Sequence, residues 1–321
     1  MVDLERIQAA FTSVYRCFTY WTPQECPPTV IAALTKELPH ISELEWPARL
    51  QWGGFYLNGA DFRSDTALTA PCRLEYYEPR YKIEDADTVF GSFKAEHIVF
   101  EDEDLIVVYK QARLPTMPGR DQTRISLKAM LEDHLGSRVH MPSRIDMSTE
   151  GLVAVSKTEK MHHRLQSVFE HRQAEKIYLL EVSGSVPWDE QLVDAPIDKD
   201  RRHPVLRTVV SSGGRAAQTL FKVRERGGRS LLEARPRTGR THQIRVHAQH
   251  LGLPIVGDKF YGGAEAPELH LLSFRLGFIH PLSRAKMELA VPDKLLPAWT
   301  LPFESVTKNA ELTNLSGVTT S

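Results

Sequence analysis

The pattern of this 321-residue chain predicts an α+β fold in which strands outnumber helices. Apolar, strand-like runs recur at 104–109, 152–156, 177–182, 218–223 and 230–234. Between them, 158–171 and 241–251 carry apolar residues at helical spacing. The glycine pairs Gly213-Gly214 and Gly227-Gly228 read as hairpin turns between strands. A hydrophobic content of 41% supplies core for one large or two modest domains.

The elements divide into two blocks. In the first, Leu4, Ile7, Phe11, Val14 and Phe18 recur at helical spacing, which predicts a helix ended by Pro23, Pro27 and Pro28. A second helix is expected over 29–39, closed by Pro39. From Arg49 to Tyr77 the pattern changes to short strands around the Asn58-Gly59 turn. Residues 1–90 are therefore read as a small N-terminal α/β unit, and Glu78–Phe93, with Glu84-Asp-Ala-Asp87, as a linker. The larger domain is expected over 96–302, followed by a polar, disordered tail at 303–321.

Charge is distributed unevenly. The net charge is −1, but residues 1–100 hold 9 basic against 14 acidic side chains, whereas 137–250 hold 20 against 13. Phosphate recognition depends on local charge, so overall neutrality does not exclude a nucleic-acid partner. No apolar run is long enough to cross a bilayer, and Met1–Arg6 is not a basic, apolar leader, so a cytoplasmic protein is expected. Cys17, Cys26 and Cys72 form no Cys-x-x-Cys pair and read as reduced thiols.

The segment Arg235-Pro-Arg-Thr-Gly-Arg-Thr-His-Gln-Ile-Arg245 crowds four arginines and a histidine around a glycine turn, as a polyanion site would. It follows the strand Ser230–Ala234 and leads into a helix with Thr241 as the expected N-cap and Gly252 as the stop. Ile244, Ala248 and Leu251 take the buried side of that helix, while His242, Arg245 and Gln249 share the other. A second segment, Ser143-Arg-Ile-Asp-Met-Ser-Thr-Glu-Gly151, places Arg144 and Asp146 at the entry of an apolar strand.

Together these segments resemble the RluA-type pseudouridine synthases. Thr238-Gly-Arg-Thr-His-Gln-Ile-Arg-x-His247 matches one family motif in full. In the other, Arg144, Asp146, Thr149 and Gly151 match, while Ser143, Ile145 and Glu150 depart. Glu103–Lys110, Lys176-Ile-Tyr178, Gly257-Asp-Lys-x-Tyr-Gly262, His270-Leu-Leu272 and His280-Pro281 follow in family order, although Gln111-Ala-Arg113 replaces the usual Pro-x-Gly. The resemblance covers about 96 to 300 and implies the pseudouridine synthase fold: a long mixed, largely antiparallel sheet flanked by helices, with a central RNA-binding cleft.

It further implies isomerisation of uridine to pseudouridine in ribosomal or transfer RNA, with Asp146 acting at the ribose, Arg245 paired with it and Tyr178 stacking on the base. Expected RNA contacts are Arg144, Lys176, Arg237, Arg240, His242 and Gln243. His242 and His247 lack zinc-ligand spacing, and no phosphate loop or dinucleotide fingerprint occurs, so neither a metal nor a nucleotide cofactor is expected of this monomer. The departures at Ser143, Glu150 and Gln111–Arg113 motivate the competing reading, a catalytically silent RNA-binding or ribosome-assembly factor. In particular, Glu150 is expected to raise the pKa of Asp146 or repel phosphate.

Overall fold

The computed structural model describes residues 11–39, 41, 43–81, 92–118, 125–200 and 205–303. They form two compact units, one within 3–82 and 198–208, the other within 83–197 and 209–321. The sequence boundary near residue 90 does not anticipate the return of 198–208 to the smaller unit.

The smaller unit contains β1 (Phe11–Tyr20), α1 (Val30–Glu37), α2 (Trp46–Trp52), β2 (Phe55–Leu57), β3 (Ala60–Asp61) and β4 (Cys72–Tyr81). Its antiparallel sheet has the order β1-β4-β2-β3. Phe11–Tyr20 is thus a strand, where helical spacing predicted a helix; Leu4 and Ile7 lie outside the described residues. The composition explains the difference. Aromatic and β-branched residues dominate Phe-Thr-Ser-Val-Tyr-Arg-Cys-Phe-Thr-Tyr, and the burial alternates, with Phe18 and Tyr20 on the core and Tyr15 in solvent. Pairing along all ten residues with β4 outweighs the helical apolar spacing.

The second helix is present, capped by Thr29, whose hydroxyl accepts from the Ala32 N–H. Asn58 and Gly59 both have positive φ and close the β2–β3 hairpin as read from the sequence. α2 occupies Trp46–Trp52, where strand character was expected from Arg49 onward. β4 continues to Tyr81 and so takes the start of the segment read as linker; 82–91 lie outside the described residues.

The larger unit is built on a nine-stranded sheet. Its elements are β5 (Ile98–Glu101), β6 (Leu105–Lys110), α3 (Leu127–Leu135), β7 (Glu150–Ser156), α4 (Glu159–Glu170), β8 (Glu175–Ser183) and β9 (Glu190–Asp194). After the ribbon of β10 (Ile197–Lys199) and β11 (Arg207–Val209) come β12 (Gln218–Glu225), β13 (Arg229–Pro236), α5 (Gln243–His250), β14 (Leu271–Ile279) and β15 (Lys286–Ala290). The order is β5-β6-β7-β14-β8-β13-β12-β9, with β15 also on β14. Among these pairs only β7 with β14 is parallel. Gly227-Gly228 turns β12 into β13, whereas Gly213-Gly214 joins β11 to β12, which are not paired.

Strands β6 and β7 are buried throughout because helices cover both faces. Leu105, Val107, Leu152 and Ala154 pack with Met161 and Leu165 of α4. Ile106, Val108, Val153 and Val155 pack oppositely, with Leu127 and Leu131 of α3. Tyr178, Leu180 and Leu232 pack with Ile244 and Ala248 of α5. Ile145 touches both of these last two clusters, so it anchors the loop before β7.

Gly151 sets how closely β7 approaches β14. Its φ is +110°, and a Cβ there would lie 2.3 Å from the Ser273 carbonyl oxygen. Gly151 pairs with Ser273, which in turn pairs with Tyr178 on β8. This register brings the loop holding Asp146 to the strand end that presents Tyr178.

Candidate active site

The loop carrying Asp146 is held by its own backbone. Thr116 donates its hydroxyl to the Ile145 carbonyl at 2.7 Å, and the Thr149 N–H donates to the Asp146 carbonyl at 3.1 Å. Lys110, at the end of β6, has no exposed surface. Its ammonium donates to the carbonyls of Met147 (3.0 Å), Gln111 (2.8 Å) and Leu114 (2.8 Å). Burial pushes Lys110 down to about 7.

Asp146 itself is half-buried, and no donor among the described residues bonds its carboxylate. Burial raises its pKa, while Arg245, Arg144 and Lys110 act to lower it. Tyr178 is buried; burial pushes its hydroxyl up to about 12, and the nearby negative charge of Asp146 acts in the same direction. Asp146, Tyr178 and Arg245 therefore converge electrostatically, although their motifs are far apart in sequence.

Arg245 does not pair with Asp146 as the resemblance implied. Its Nε and Nη2 donate to Asp258 at 2.8 and 2.7 Å, an ion pair with side chains 4% and 0% exposed. The guanidinium lies 5.1 Å from the ring centroids of both Phe260 and Tyr261. Asp258 also accepts from the N–H groups of Phe260 and Tyr261. The Asp258 carboxylate is thus held by two backbone donors as well as by the arginine. Asp258, Lys110, Phe260 and Tyr261 were not singled out from sequence; the signal for Asp258 lay in the Gly257-Asp-Lys-x-Tyr motif itself.

The basic turn is more self-contained than its composition suggests. The helix begins at Gln243 with His242 as N-cap at φ +56°, one residue beyond the expected Thr241. Gln243 is buried, and its amide is satisfied within the chain. Its Oε1 accepts from the Thr238 hydroxyl and the Arg240 N–H, while Nε2 donates to the Gln218 carbonyl and the Thr219 hydroxyl. An RNA contact by Gln243 would have to compete with that frame. His242 shares a 2.8 Å hydrogen bond with the Tyr261 hydroxyl. His247 bridges Thr219 and the Ala195 carbonyl, and burial lowers its pKa. These partners give both histidines structural work.

The remaining expected contacts fall into two groups. Arg144 and Arg237 are exposed, and Arg240 donates from Nε to the Ala216 carbonyl at 3.0 Å. Lys176 instead sits 4.7 Å over the Phe169 ring, with its pKa lowered by burial. Glu150 accepts from the Tyr109 hydroxyl at 2.8 Å and the Trp299 indole at 3.1 Å. Burial, Arg245, Arg144, Lys110 and Asp258 are the main influences on Asp146, ahead of any effect of Glu150.

Comparison with known proteins agrees with this architecture. Residues 104–250 match the family described as RNA pseudouridylate synthase. The dual-specificity RNA pseudouridine synthase RluA of Vibrio vulnificus is 33% identical over 211 residues, covering 62% of this chain and 84% of that protein. The uncharacterized RNA pseudouridine synthase YjbO of Bacillus subtilis is 30% identical over 238 residues, covering 68% and 84%. In fold, the human RNA pseudouridylate synthase domain containing 1 superposes with a TM-score of 0.55 at 23% identity, over 68% of this chain and 94% of that structure. The chain belongs to the RluA-type RNA pseudouridine synthase family.

Proposed function

We propose that Asp146 is the group that acts at the ribose when this enzyme isomerises uridine in RNA. The reaction breaks the bond from base nitrogen to ribose, turns the base and rejoins it through carbon, so a group at the sugar must stabilise or bond the anomeric carbon meanwhile. One observation carries the assignment. Asp146 has a carboxylate free of hydrogen bonds among the described residues, yet Arg245, Arg144 and Lys110 oppose the effect of burial on its charge.

Tyr178 supplies a flat face and a hydroxyl that burial keeps protonated at neutral pH. Arg144 and Arg237, exposed nearby in sequence to Asp146 and the α5 turn, are the residues suited to phosphate. The substrate is an RNA, ribosomal or transfer, and the chemistry needs no nucleotide cofactor; the enzyme works as a cytoplasmic monomer. A uridine within a structured RNA must leave its stack first, at a cost of a few kcal/mol.

The test is Asp146→Asn, which keeps shape and removes charge. Its substrate is bulk RNA from cells lacking the gene, labelled with uridine tritiated at C5, the carbon that loses its hydrogen on rejoining. Tritium release should vanish while the melting temperature and RNA binding stay near wild type. Turnover at the wild-type rate would refute the assignment.

A further inference from the structure

We propose that Cys26 and Cys72 form a paired oxidation site: a hydroperoxide is reduced at Cys26, and the two residues then close into a disulfide that a dithiol reopens. Both cysteines are free, and their sulfurs stand 3.8 Å apart. Closing that gap to the ~2.05 Å of a disulfide bond moves each sulfur by about 0.9 Å, which side-chain torsion can supply. Both residues belong to the smaller unit, whereas Asp146, Tyr178 and Arg245 belong to the larger.

Backbone hydrogen bonds set this proximity. β1 ends at Tyr20, whose register partner on β4 is Cys72. The Thr22 carbonyl then accepts from the N–H groups of Glu25 and Cys26, both at 3.2 Å, and this turn brings Cys26 back to the strand end the chain has just left. Beyond the turn, the chain is stitched to the segment that leads into β4. The Leu68 N–H donates to the Pro28 carbonyl at 3.0 Å, and the Val30 N–H to the Thr66 carbonyl at 2.9 Å. Each sulfur is therefore carried by backbone that is tied to the other's segment.

The two thiols are placed for different parts. Cys26 is half-buried and Cys72 is 4% exposed, so a reagent from solvent meets Cys26 first. Burial pushes the Cys72 thiol up to about 11, and the adjoining Cys26 acts in the same direction. Cys72 thus stays inert until an electrophilic sulfur forms beside it. In the first step the Cys26 thiolate attacks a peroxide oxygen; the O–O bond breaks, Cys26 becomes a sulfenic acid, and the departing alkoxide or hydroxide takes a proton from water. In the second, the Cys72 sulfur attacks that of Cys26; the S–S bond forms, the S–O bond breaks, and the leaving hydroxide takes the Cys72 proton to give water. Two thiols and one hydroperoxide yield one disulfide, one alcohol or water, and one further water. Cys17 is exposed on the face of β1 opposite Phe18 and Tyr20, so it has no part in the pair.

The test uses the full chain carrying Cys17→Ser, with wild type alongside and its Cys17 peptide read separately, so the outcome does not depend on that variant. The protein is treated with hydrogen peroxide sufficient to oxidise glutathione in the same tube. It is then denatured, labelled with a maleimide before and after reduction by dithiothreitol, and mapped by mass spectrometry. Treatment should abolish labelling of both cysteines, reduction should restore it, and one peptide pair should be joined through Cys26 and Cys72. Because the bond links positions 46 residues apart, the smaller unit should melt higher when oxidised, by on the order of 10 °C. In Cys72→Ala, peroxide should instead drive Cys26 to a sulfinic acid that the reductant does not reverse. The inference is overturned if Cys26 becomes a sulfinic acid while Cys72 still takes label, if both thiols stay labelled, or if the disulfide joins two chains. An oxidised form that melts below the reduced one also overturns it, for closure would then have strained a backbone that should already be in place.

Discussion

Replacing Lys110 by methionine tests whether the loop carrying Asp146 is held by a buried cation. The ordinary lysine pKa is 10.5, and burial pushes that of Lys110 down to about 7. At about 1.4 kcal/mol per pH unit, the displacement corresponds to a penalty of about 5 kcal/mol when the group is fully charged in the folded state. The sign follows from proton counts. Between about pH 7 and 10.5 the unfolded chain binds more protons at this site than the folded one, so stability rises with pH in that window. The penalty is complete below about pH 7 and is relieved as pH approaches 10.5.

From pH 7 to 9 linkage gives a gain of roughly 2 kcal/mol. Urea unfolding followed by circular dichroism at several pH values should therefore show wild type gaining roughly 2 kcal/mol relative to Lys110→Met between pH 7 and 9. The variant should also lose turnover, because Met147 loses the donor that anchors it beside Asp146. Parallel stability curves would refute the reasoning, for they would mean that Lys110 keeps its ordinary pKa and does not bear the burial ascribed to it.

Two further predictions concern the frame of the site. Gly151→Ala should lower the melting temperature of the larger unit sharply and abolish turnover, since the new methyl would meet the Ser273 backbone at positive φ; differential scanning calorimetry reads the first effect. Gln243→Ala should reduce stability by roughly 2–4 kcal/mol by stripping partners from Thr238, Arg240, Gln218 and Thr219, while the intact fraction binds RNA at near wild-type affinity in a filter assay.

In the larger unit β6 and β7 were legible because they are apolar on both faces, and α4 because of its 3.6-residue stripe, whereas the short or half-exposed β5, β9 and β15, together with β14 and α3, were not anticipated. The smaller unit was harder. Leu4, Ile7, Phe11, Val14 and Phe18 suit a helix in one dimension, yet Phe11–Tyr20 gains ten residues of pairing from β4, a partner more than fifty residues away. Within the site, residue types told where the chemistry lies but not which carboxylate an arginine selects. Asp258 is held by the N–H groups of Phe260 and Tyr261 as well as by Arg245, a backbone fact that side-chain spacing does not carry.

The same distinction bears on how RNA is gripped. Formal charge gives 137–250 a strong basic excess, but many of its arginines face carboxylates of their own sheet. Arg224 and Arg235 both pair with the buried Glu233, Arg235 reaches Glu175 as well, Arg229 pairs with Glu181, and Arg226 with Asp189. Arg245 is given to Asp258. These pairs cancel one another's field a few ångströms away, so they add little attraction at the distance of an approaching phosphate. Arg144 and Arg237, exposed and with no acidic partner among the described residues, keep their full charge. They lie at the entry to the Asp146 loop and at the turn before α5. Arg138, Arg164, Arg172, Arg215 and Lys222 are likewise exposed and without an acidic partner among the described residues, so the attraction offered to RNA includes the two segments that deliver Asp146 and Arg245 without being confined to them.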